Sequence, residues 1–300
     1  MDDENLLADF KQHLATHGAS REHLNAFIIK KRDEKVDMRR LIKVMVDYAW
    51  SVSDEELMSE TVLLIDAEGV MGKLSEVTGE LYGEAVRETV FGGEKMPEVG
   101  WTLGEMNDYA ARVERRYLSA AAREDYERAC EKVAHCFDGW NPEGNEVFLK
   151  LKSVDAFCEK LCDDFIGWLE HCRDTGELLF NQKVDDSVIA FMRERRHIRR
   201  EGDKIIAEKI PFQTIKYLNE TDPAVKRHYA CHCPWVRELI LRGESAASFC
   251  NCSLGLEKKD FETAFGRELD GRVIETVQTD GVYRCVFEID IPEDILAEYP

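Results

Sequence analysis

The chain has 300 residues, 44% of them hydrophobic, so it can bury a large core, and two domains are expected rather than disorder. Its 40 Lys and Arg stand against 60 Asp and Glu, which gives a formal net charge of -20. That charge repels nucleic acid and anionic membrane surfaces, so neither is expected as a partner.

The sequence contains neither a predicted membrane span nor a predicted signal peptide. No apolar run approaches the roughly 20 residues that a bilayer span needs. The stretch Met1–Asn5 is acidic where a signal peptide needs a basic region. The sequence therefore predicts a cytoplasmic protein. In that compartment ten cysteines indicate reduced thiols or a metal rather than a disulfide framework.

The first part of the chain, from Leu6 to about Cys172, has apolar residues at helical spacing. Ser53 and Glu56 form a capping-box pattern that predicts the start of a helix, and Leu103–Tyr126 predicts another. We therefore expect a mainly helical domain over residues 1–183. Its simplest role is interaction or regulation without chemistry of its own.

Cysteines of this helical part admit two interpretations. Cys158 and Cys162 are i,i+4 neighbours on one helix face, for which core packing is favoured. Cys130 and Cys136 also suit core packing. His135 beside them adds a second donor type before a loop, so metal binding is the alternative there.

After Asn181 the pattern changes to a mixture of helix and strand. The basic cluster Arg193–Arg200 is interpreted as a solvated helix end, with an anionic ligand as the alternative. A strand is predicted over Lys204–Ile210, ending before Pro211.

The C-terminal stretch predicts one helix and a β-hairpin. The helix covers Leu256–Phe265 with Gly266 as its C-cap. Strands Arg272–Thr279 and Val282–Ile291 flank the short-turn signal Asp280-Gly281. Alternation in the second strand places Cys285 on its inner face. Residues 184–300 are thus expected to form a compact α+β domain, and the fold class is α+β.

Two Cys-x-Cys pairs, Cys231 with Cys233 and Cys250 with Cys252, are the strongest chemical signal in the chain. A tetrahedral metal needs its sulfurs closer together than a regular strand places them, so bends are expected at Pro234 and after Cys252. Zinc is the favoured ion because thiolates select soft or borderline cations. His232 is a further candidate ligand or a proton carrier. Reactive thiols and purely structural cysteines are the alternatives.

Residues next to the first pair suggest a pocket. Arg237 and Glu238 begin a helix, where they line the same site or pair with each other on the surface. A guanidinium at Arg237 would suit a carboxylate, so a small and possibly anionic ligand is expected. Trp235 is expected in the core.

These residues also carry a resemblance that covers roughly the last third of the chain. The segments are Cys231–Arg237, Phe249–Gly255, Phe261-Glu262, Phe265-Gly266, Val273–Thr276, Gly281 and Cys285–Ile289. They resemble a family of uncharacterised bacterial and archaeal proteins and, in their last part, the four-vinyl-reductase type of small-ligand-binding domain. The resemblance implies an α+β module that senses or presents small molecules, with zinc on cysteines in some members.

By position, the resemblance assigns Cys250 and Cys285 to the module's recurrent cysteines. It assigns Cys231, Cys233 and Cys252 to those of the narrower family. Small-molecule binding or sensing is therefore the first functional hypothesis. A weaker likeness to hydrolases of aminothiazoline carboxylate gives the alternative, an enzyme that uses metal-bound water or a thiolate activated by His232. In it Arg237 holds a carboxylate and Glu238 is a further candidate. A structural protein with inert thiols is the third hypothesis, and a homodimer is compatible with all of them.

Overall fold

The computed structural model describes residues 3–66, 69–97, 99–133 and 143–299. The first helices are α1 (Asp3–His17), α2 (Arg21–Asp33), α3 (Met38–Ser51), α4 (Glu55–Asp66), α5 (Val70–Tyr82), α6 (Glu84–Phe91), α7 (Leu103–Ala120) and α8 (Arg123–Val133). The later helices are α9 (Gly144–Leu151), α10 (Val154–Thr175), α11 (Asp186–Arg195), α12 (Thr214–Asn219), α13 (Pro223–Ala230), α14 (Arg237–Leu241), α15 (Asn251–Phe265) and α16 (Glu293–Glu298). The strands are β1 (Ile198–Glu201), β2 (Lys204–Glu208), β3 (Gly271–Glu275) and β4 (Val286–Asp290).

This order of elements confirms the predicted α+β class with a helical N-terminal part. The four strands form one antiparallel sheet in the order β1-β2-β4-β3. The division into residues 1–183 and 184–300 stays a prediction. One apolar cluster joins the first helices to the cysteine segment, since it contains Leu6 and Tyr117 together with Cys231 and Val236.

Side-chain caps mark the starts of helices in the first part of the chain, but the cap predicted at Ser53 is wrong. Thr102 and Glu105 form a capping box at the start of α7. At α4 the cap is Asp54, whose Oδ1 accepts the Leu57 N–H at 3.0 Å. Ser53 has a φ of +48° and lies in the turn before it, so the predicted capping box at Ser53 does not form.

The helix predicted over Leu103–Tyr126 is two helices. Ala121 has extended backbone and ends α7. The Ala122 N–H donates to Asp125 Oδ2 at 3.3 Å, at the start of the new helix α8. The break matters because α8 packs on α15, beside the cysteines.

Cysteines on α10 pack in the core as predicted. Cys158 is 2% exposed and Cys162 is 9% exposed. Cys130 on α8 is also fully buried, whereas His135 and Cys136 lie outside the described residues. The core-packing interpretation therefore holds for the pair on α10.

Only the first part of the basic cluster is a helix end. α11 ends at Arg195, and β1 begins at Ile198. The arginines of the cluster pair with carboxylates: Arg193 with Glu170, Arg195 with Glu208, Arg196 with Glu159, Arg199 with Glu201 and Arg200 with Asp155. The arginines that were considered as binding residues for an anionic ligand are therefore already paired with carboxylates of the protein.

The C-terminal helix and hairpin differ from their predicted bounds. α15 begins at Asn251 rather than Leu256, and Gly266 caps its end at a φ of +69° as predicted. β3 and β4 pair with each other, but both strands are shorter than predicted. Turns after Thr276 and Thr279 fold the connection back instead of extending the hairpin to Asp280-Gly281. Among the helices of the described ranges, none is long and apolar enough to cross a membrane.

Candidate thiol site

The predicted cysteines lie on three separate segments of the chain. Cys231 ends α13 and Cys233 lies in the turn that follows it. Cys250 ends a short 3-10 turn, and Cys252 lies on the first turn of α15. Cys285 directly precedes β4. In the described part of the chain none of the five is joined in a disulfide. The turn predicted after Cys252 does not form, because the helix continues through Gly255.

Charge interactions show which of these thiols are near each other. Burial raises the pKa of Cys233 well above its ordinary value, and charges on Cys231 and Cys252 would raise it further. The pKa of Cys250 is raised first by burial and then by Cys285, Cys231 and Cys233. The two Cys-x-Cys pairs and Cys285 therefore lie within electrostatic range of one another, and we call these five residues the thiol cluster.

A sixth thiol near this cluster comes from the helical half. Burial raises the pKa of Cys130 on α8, and the charges of Cys252 and Cys233 contribute in the same direction. The sequence analysis placed Cys130 in a separate candidate pair with Cys136. Nothing in the local pattern of α8 indicates a neighbour more than 100 residues away along the chain.

Cys250 and Cys231 have polar side chains within hydrogen-bond distance of their sulfurs. Cys250 Sγ lies 3.0 Å from Thr276 Oγ1, and Gln278 Nε2 donates to Cys231 Sγ at 3.7 Å. Gln278 Nε2 also donates to the Val236 carbonyl at 3.1 Å. Thr276 and Gln278 were predicted as strand residues. The turn that replaces the end of that strand places them against the thiols.

Positive charge lies close to the cluster at Lys209. Its Nζ donates to Ser253 Oγ at 3.2 Å and lies 3.6 Å from Glu257 Oε1. Burial raises the pKa of Cys285, while the charge of Lys209 acts in the opposite direction. The sequence pattern predicts Lys209 only as a strand residue and gives no sign of its position near the thiols.

At neutral pH four of these thiols, Cys231, Cys233, Cys250 and Cys285, are protonated when they hold no cation. Burial raises the pKa of Cys231 to about 11, and the pKa values of Cys233, Cys250 and Cys285 are also raised. In the residues that the structure describes, no three His, Cys, Asp or Glu side chains are placed as a group that could hold a metal ion.

His232 is hydrogen-bonded to the chain before α12. Its Nε2 donates to the Ile210 carbonyl at 2.6 Å, and its ring packs edge-on against Phe212 at 5.3 Å between centroids. Burial lowers the pKa of His232 from 6.5 to about 3. The imidazole is therefore neutral at physiological pH, and proton transfer by it near pH 7 has no support from these contacts.

Acid should destabilise the protein through His232. Its pKa is lower in the folded chain, so the unfolded chain binds more protons between pH 6.5 and 3, and the free energy of unfolding falls as pH falls through this window. At pH 4.5 this contribution is about 2 kcal/mol, allowing for water that reaches the half-buried ring. Urea unfolding of wild type and His232→Gln at pH 7 and pH 4.5 measures it.

The glutamine amide can still donate to the Ile210 carbonyl but does not titrate. The loss of stability between pH 7 and pH 4.5 should therefore be about 2 kcal/mol smaller in His232→Gln than in wild type. Equal losses in the two proteins would contradict a buried, neutral imidazole.

Arg237 is in the interior rather than on the surface. It is 1% exposed, its guanidinium lies 4.6 Å from the Phe212 ring centroid, and its Nη2 donates to the His228 carbonyl at 3.3 Å. Its Nε has no hydrogen-bond partner among the described residues. Burial lowers the pKa of Arg237, while the Cys231 charge would raise it. Because arginine stays protonated in proteins, the side chain is a buried cation within electrostatic range of Cys231.

Glu238 is the acceptor of a network that joins α14 to the helical half. It accepts from His228 Nε2 at 2.9 Å and pairs with Arg21 Nη1 at 2.5 Å. Arg21 also makes two 2.7 Å hydrogen bonds to Glu60 on α4. Burial alone would raise the pKa of Glu238, but the His228 hydrogen bond and the Arg21 and Arg237 charges lower it to about 2. The surface alternative for Glu238 is therefore wrong.

Asn107 on α7 is a second connection between the two halves, and the sequence analysis missed it. The side chain is fully buried. Its Nδ2 donates to the Leu103 carbonyl at 2.6 Å and the Pro234 carbonyl at 2.7 Å, and its Oδ1 accepts the Glu238 N–H at 3.0 Å. One side chain thus fixes both ends of the turn that follows Cys233.

Comparisons with known proteins found no match: no family model, no curated protein and no solved structure matches the chain. The resemblance to the four-vinyl-reductase type of domain stays a prediction.

Proposed function

We propose that the chain is a cytoplasmic small-molecule-binding or sensing protein whose cysteine cluster binds a soft or borderline cation, with zinc favoured. The observation that carries the proposal is that five predicted cysteines from three separate segments lie near one another in the interior. Buried thiols that would repel one another as thiolates are well suited to share a cation, which offsets that repulsion.

The donor chemistry fits zinc, and the ligands proposed are Cys231, Cys233, Cys250 and Cys252, with His232 and Cys285 as alternates. Zinc bound there would supply charge that stabilises the thiolate forms and fixes the three segments together. Lys209 and Arg237 add positive charge to the same surroundings. This favours an anionic ligand or a site that carries excess negative charge.

A sensing role has support from the contacts around the cluster. The turn after Cys233 is held by Asn107 from α7, and α14 is held by Arg21 from α2. A change of ligand at the thiols that moves this turn would alter contacts made by two helices of the N-terminal half. The hydrolase alternative has less support, because His232 donates to Ile210 and contacts no thiol among the described hydrogen bonds.

Metal content tests the proposal. Protein purified without a metal affinity tag or chelator should contain about one zinc ion per chain by mass spectrometry. We expect Cys231→Ser/Cys250→Ser to lose it. The control Cys158→Ser/Cys172→Ser removes two buried cysteines of α10 and should keep it.

Wild-type protein that is metal-free as purified, and that takes up no zinc after reduction and incubation with a zinc salt, would rule out the cation site. Equal zinc loss in both double variants, each folded by circular dichroism, would also count against the proposed ligands.

A further inference from the structure

A groove lies between β3 and α8, and none of the cluster cysteines is among its lining residues. Its volume is about 670 Å³, within the range of ligand and peptide sites. One wall is a single face of α8, formed by Glu124, Glu127, Arg128, Glu131 and Lys132. These positions are spaced three and four apart, which is how one helix face is built.

The opposite wall is the free edge of the sheet. β3 is the last strand in the order β1-β2-β4-β3, and its only strand partner among the described residues is β4. Every residue of Gly271–Glu275 lines the groove. Successive side chains of a strand point to opposite faces, so a groove lined by consecutive residues follows the strand's edge rather than one face.

Backbone groups of this edge point into the groove. The Asp290 N–H donates to the Asp270 carbonyl at 2.8 Å, which makes that pair a hydrogen-bonded pair of the antiparallel ladder. Pairs alternate along the ladder, so Gly271 and Val273 have their N–H and C=O groups directed away from β4. In the described part of the chain no other segment bonds to them. An exposed edge of this kind is a template for another strand.

The charges of the groove leave an acidic excess. Its cations Lys132, Lys258 and Arg272 are paired with Glu268, Glu131 and Glu288 respectively. Glu275 is paired with Arg284. Of the lining side chains without an ion pair among the described residues, Glu124, Glu127 and Asp270 are acidic, and Arg128 is basic.

The groove also exposes apolar surface, since Ile274 at its edge is 44% exposed. Alternating apolar and basic side chains on an extended segment would meet both the exposed Ile274 and the acidic positions. A second copy of this chain would instead bring the same acidic lining against itself, which is unfavourable.

We propose that this groove binds an extended segment of a partner protein containing Lys or Arg, which adds beside β3 as a fifth strand. Main-chain hydrogen bonds to Gly271 and Val273 supply affinity, and the acidic positions of α8 select the basic side chains. Five residues of β3 give about 17 Å of edge, the length of a five- to six-residue strand. The site is separate from cation binding and does not depend on it.

Fluorescence anisotropy with a labelled hexapeptide of alternating lysine and valine tests the proposal. We expect this peptide to bind the protein saturably. An analogue with glutamate in place of lysine should bind at least tenfold more weakly. Two further analogues carry N-methyl groups on alternate backbone nitrogens, one on the odd and one on the even positions, and one of the two should also bind at least tenfold more weakly. A peptide that pairs with β3 through one of its edges uses only alternate N–H groups. Methylation of those groups therefore weakens binding, and methylation of the others does not.

Two variants locate the site. Val273→Pro removes an N–H that faces the groove and should weaken peptide binding at least tenfold, because proline is tolerated where the strand N–H is not paired within the sheet. Glu124→Lys/Asp270→Lys reverses two exposed charges and should give a similar loss, with folding checked by circular dichroism. Glu80→Lys, on the exposed surface of α5, is the matched control and should bind like wild type.

Absence of saturable binding by wild type, equal affinity of both N-methylated analogues with the parent peptide, or unchanged binding by the charge-reversal variant would overturn the proposal. The proposal would also be overturned if wild type sediments as a dimer and Glu124→Lys/Asp270→Lys sediments as a monomer. A second copy of the chain would then cover the edge of β3.

Discussion

Replacing Glu238 with alanine should lower the free energy of unfolding at pH 7 by about 3 kcal/mol, since it removes one partner of a buried ionic network. Glu238 is the shared acceptor of His228 and Arg21, and its side chain is only 13% exposed. Its loss leaves the His228 imidazole buried without that partner. Arg21 keeps its two hydrogen bonds to Glu60, which limits the cost on that side.

Glu238→Gln separates charge from shape. Its amide oxygen can still accept from His228, so we expect about half of the alanine effect. The control Glu56→Gln removes a carboxylate that pairs with Lys216 at 3.5 Å while 78% exposed, and exposed pairs contribute little. Its free energy of unfolding should match that of wild type within about 0.5 kcal/mol.

The pH dependence of this effect has a defined sign. The folded pKa of Glu238 is about 2, below the ordinary 4.5, so its stabilisation is present above pH 4.5 and is lost as pH falls toward 2. A shift of this size corresponds to about 3 kcal/mol. Urea unfolding from pH 7 to pH 3 should therefore show the gap between wild type and Glu238→Ala closing. A gap that is constant with pH would contradict an ionised, stabilising carboxylate.

Much of the fold could be predicted because its signals are local. Helical spacing of apolar residues gave the helices of the first half, and Gly266 marked the end of α15. The fold class followed from the succession of these patterns. Bounds failed where a turn depends on side-chain contacts, as at Ser53, where the neighbouring Asp54 provides the cap.

The strand prediction failed over 276–279 and 282–285 for a related reason. Alternating residues continue past Glu275, but Thr276 and Gln278 have buried partners of their own: the Cys250 thiol for Thr276, and Cys231 with Val236 for Gln278. Those hydrogen bonds favour turns over a longer ladder. The pattern of alternation carries no information about partners that lie elsewhere in the chain.

The candidate site was predicted in its cysteines but not in its surroundings. Cys231 and Cys250 were recognisable from their spacing, and the structure brings them together. The burial of Arg237 depends on Phe212, and the position of Cys130 depends on how α8 packs against α15. Both are tertiary relations between distant segments. A single sequence without pairwise information cannot specify them.

Asn107 shows most directly how the helical half controls the cysteine turn. Asn107→Ala should lower the free energy of unfolding by about 3 kcal/mol, because the Pro234 carbonyl and the Glu238 N–H lose their partner inside the protein. Asn107→Asp keeps the acceptor for the Glu238 N–H but loses the donor to Pro234. Asn219→Ala is the control, since that amide bonds only to its own exposed helix.

Asn107→Ala should also change the reactivity of the thiols. Loss of an asparagine that only stabilised the fold far from the thiols would leave their reactivity unchanged. With Pro234 and Glu238 released, the turn that carries Cys233 opens more often. We therefore expect hydrogen exchange at the Glu238 amide, and the reaction of zinc-free protein with a thiol reagent, to be at least tenfold faster in Asn107→Ala than in wild type. Cys172, on α10, should react at an unchanged rate when followed by mass spectrometry. If Asn107→Ala loses stability but leaves the exchange of Glu238 and the reactivity of Cys231 and Cys233 unchanged, α7 does not control the turn.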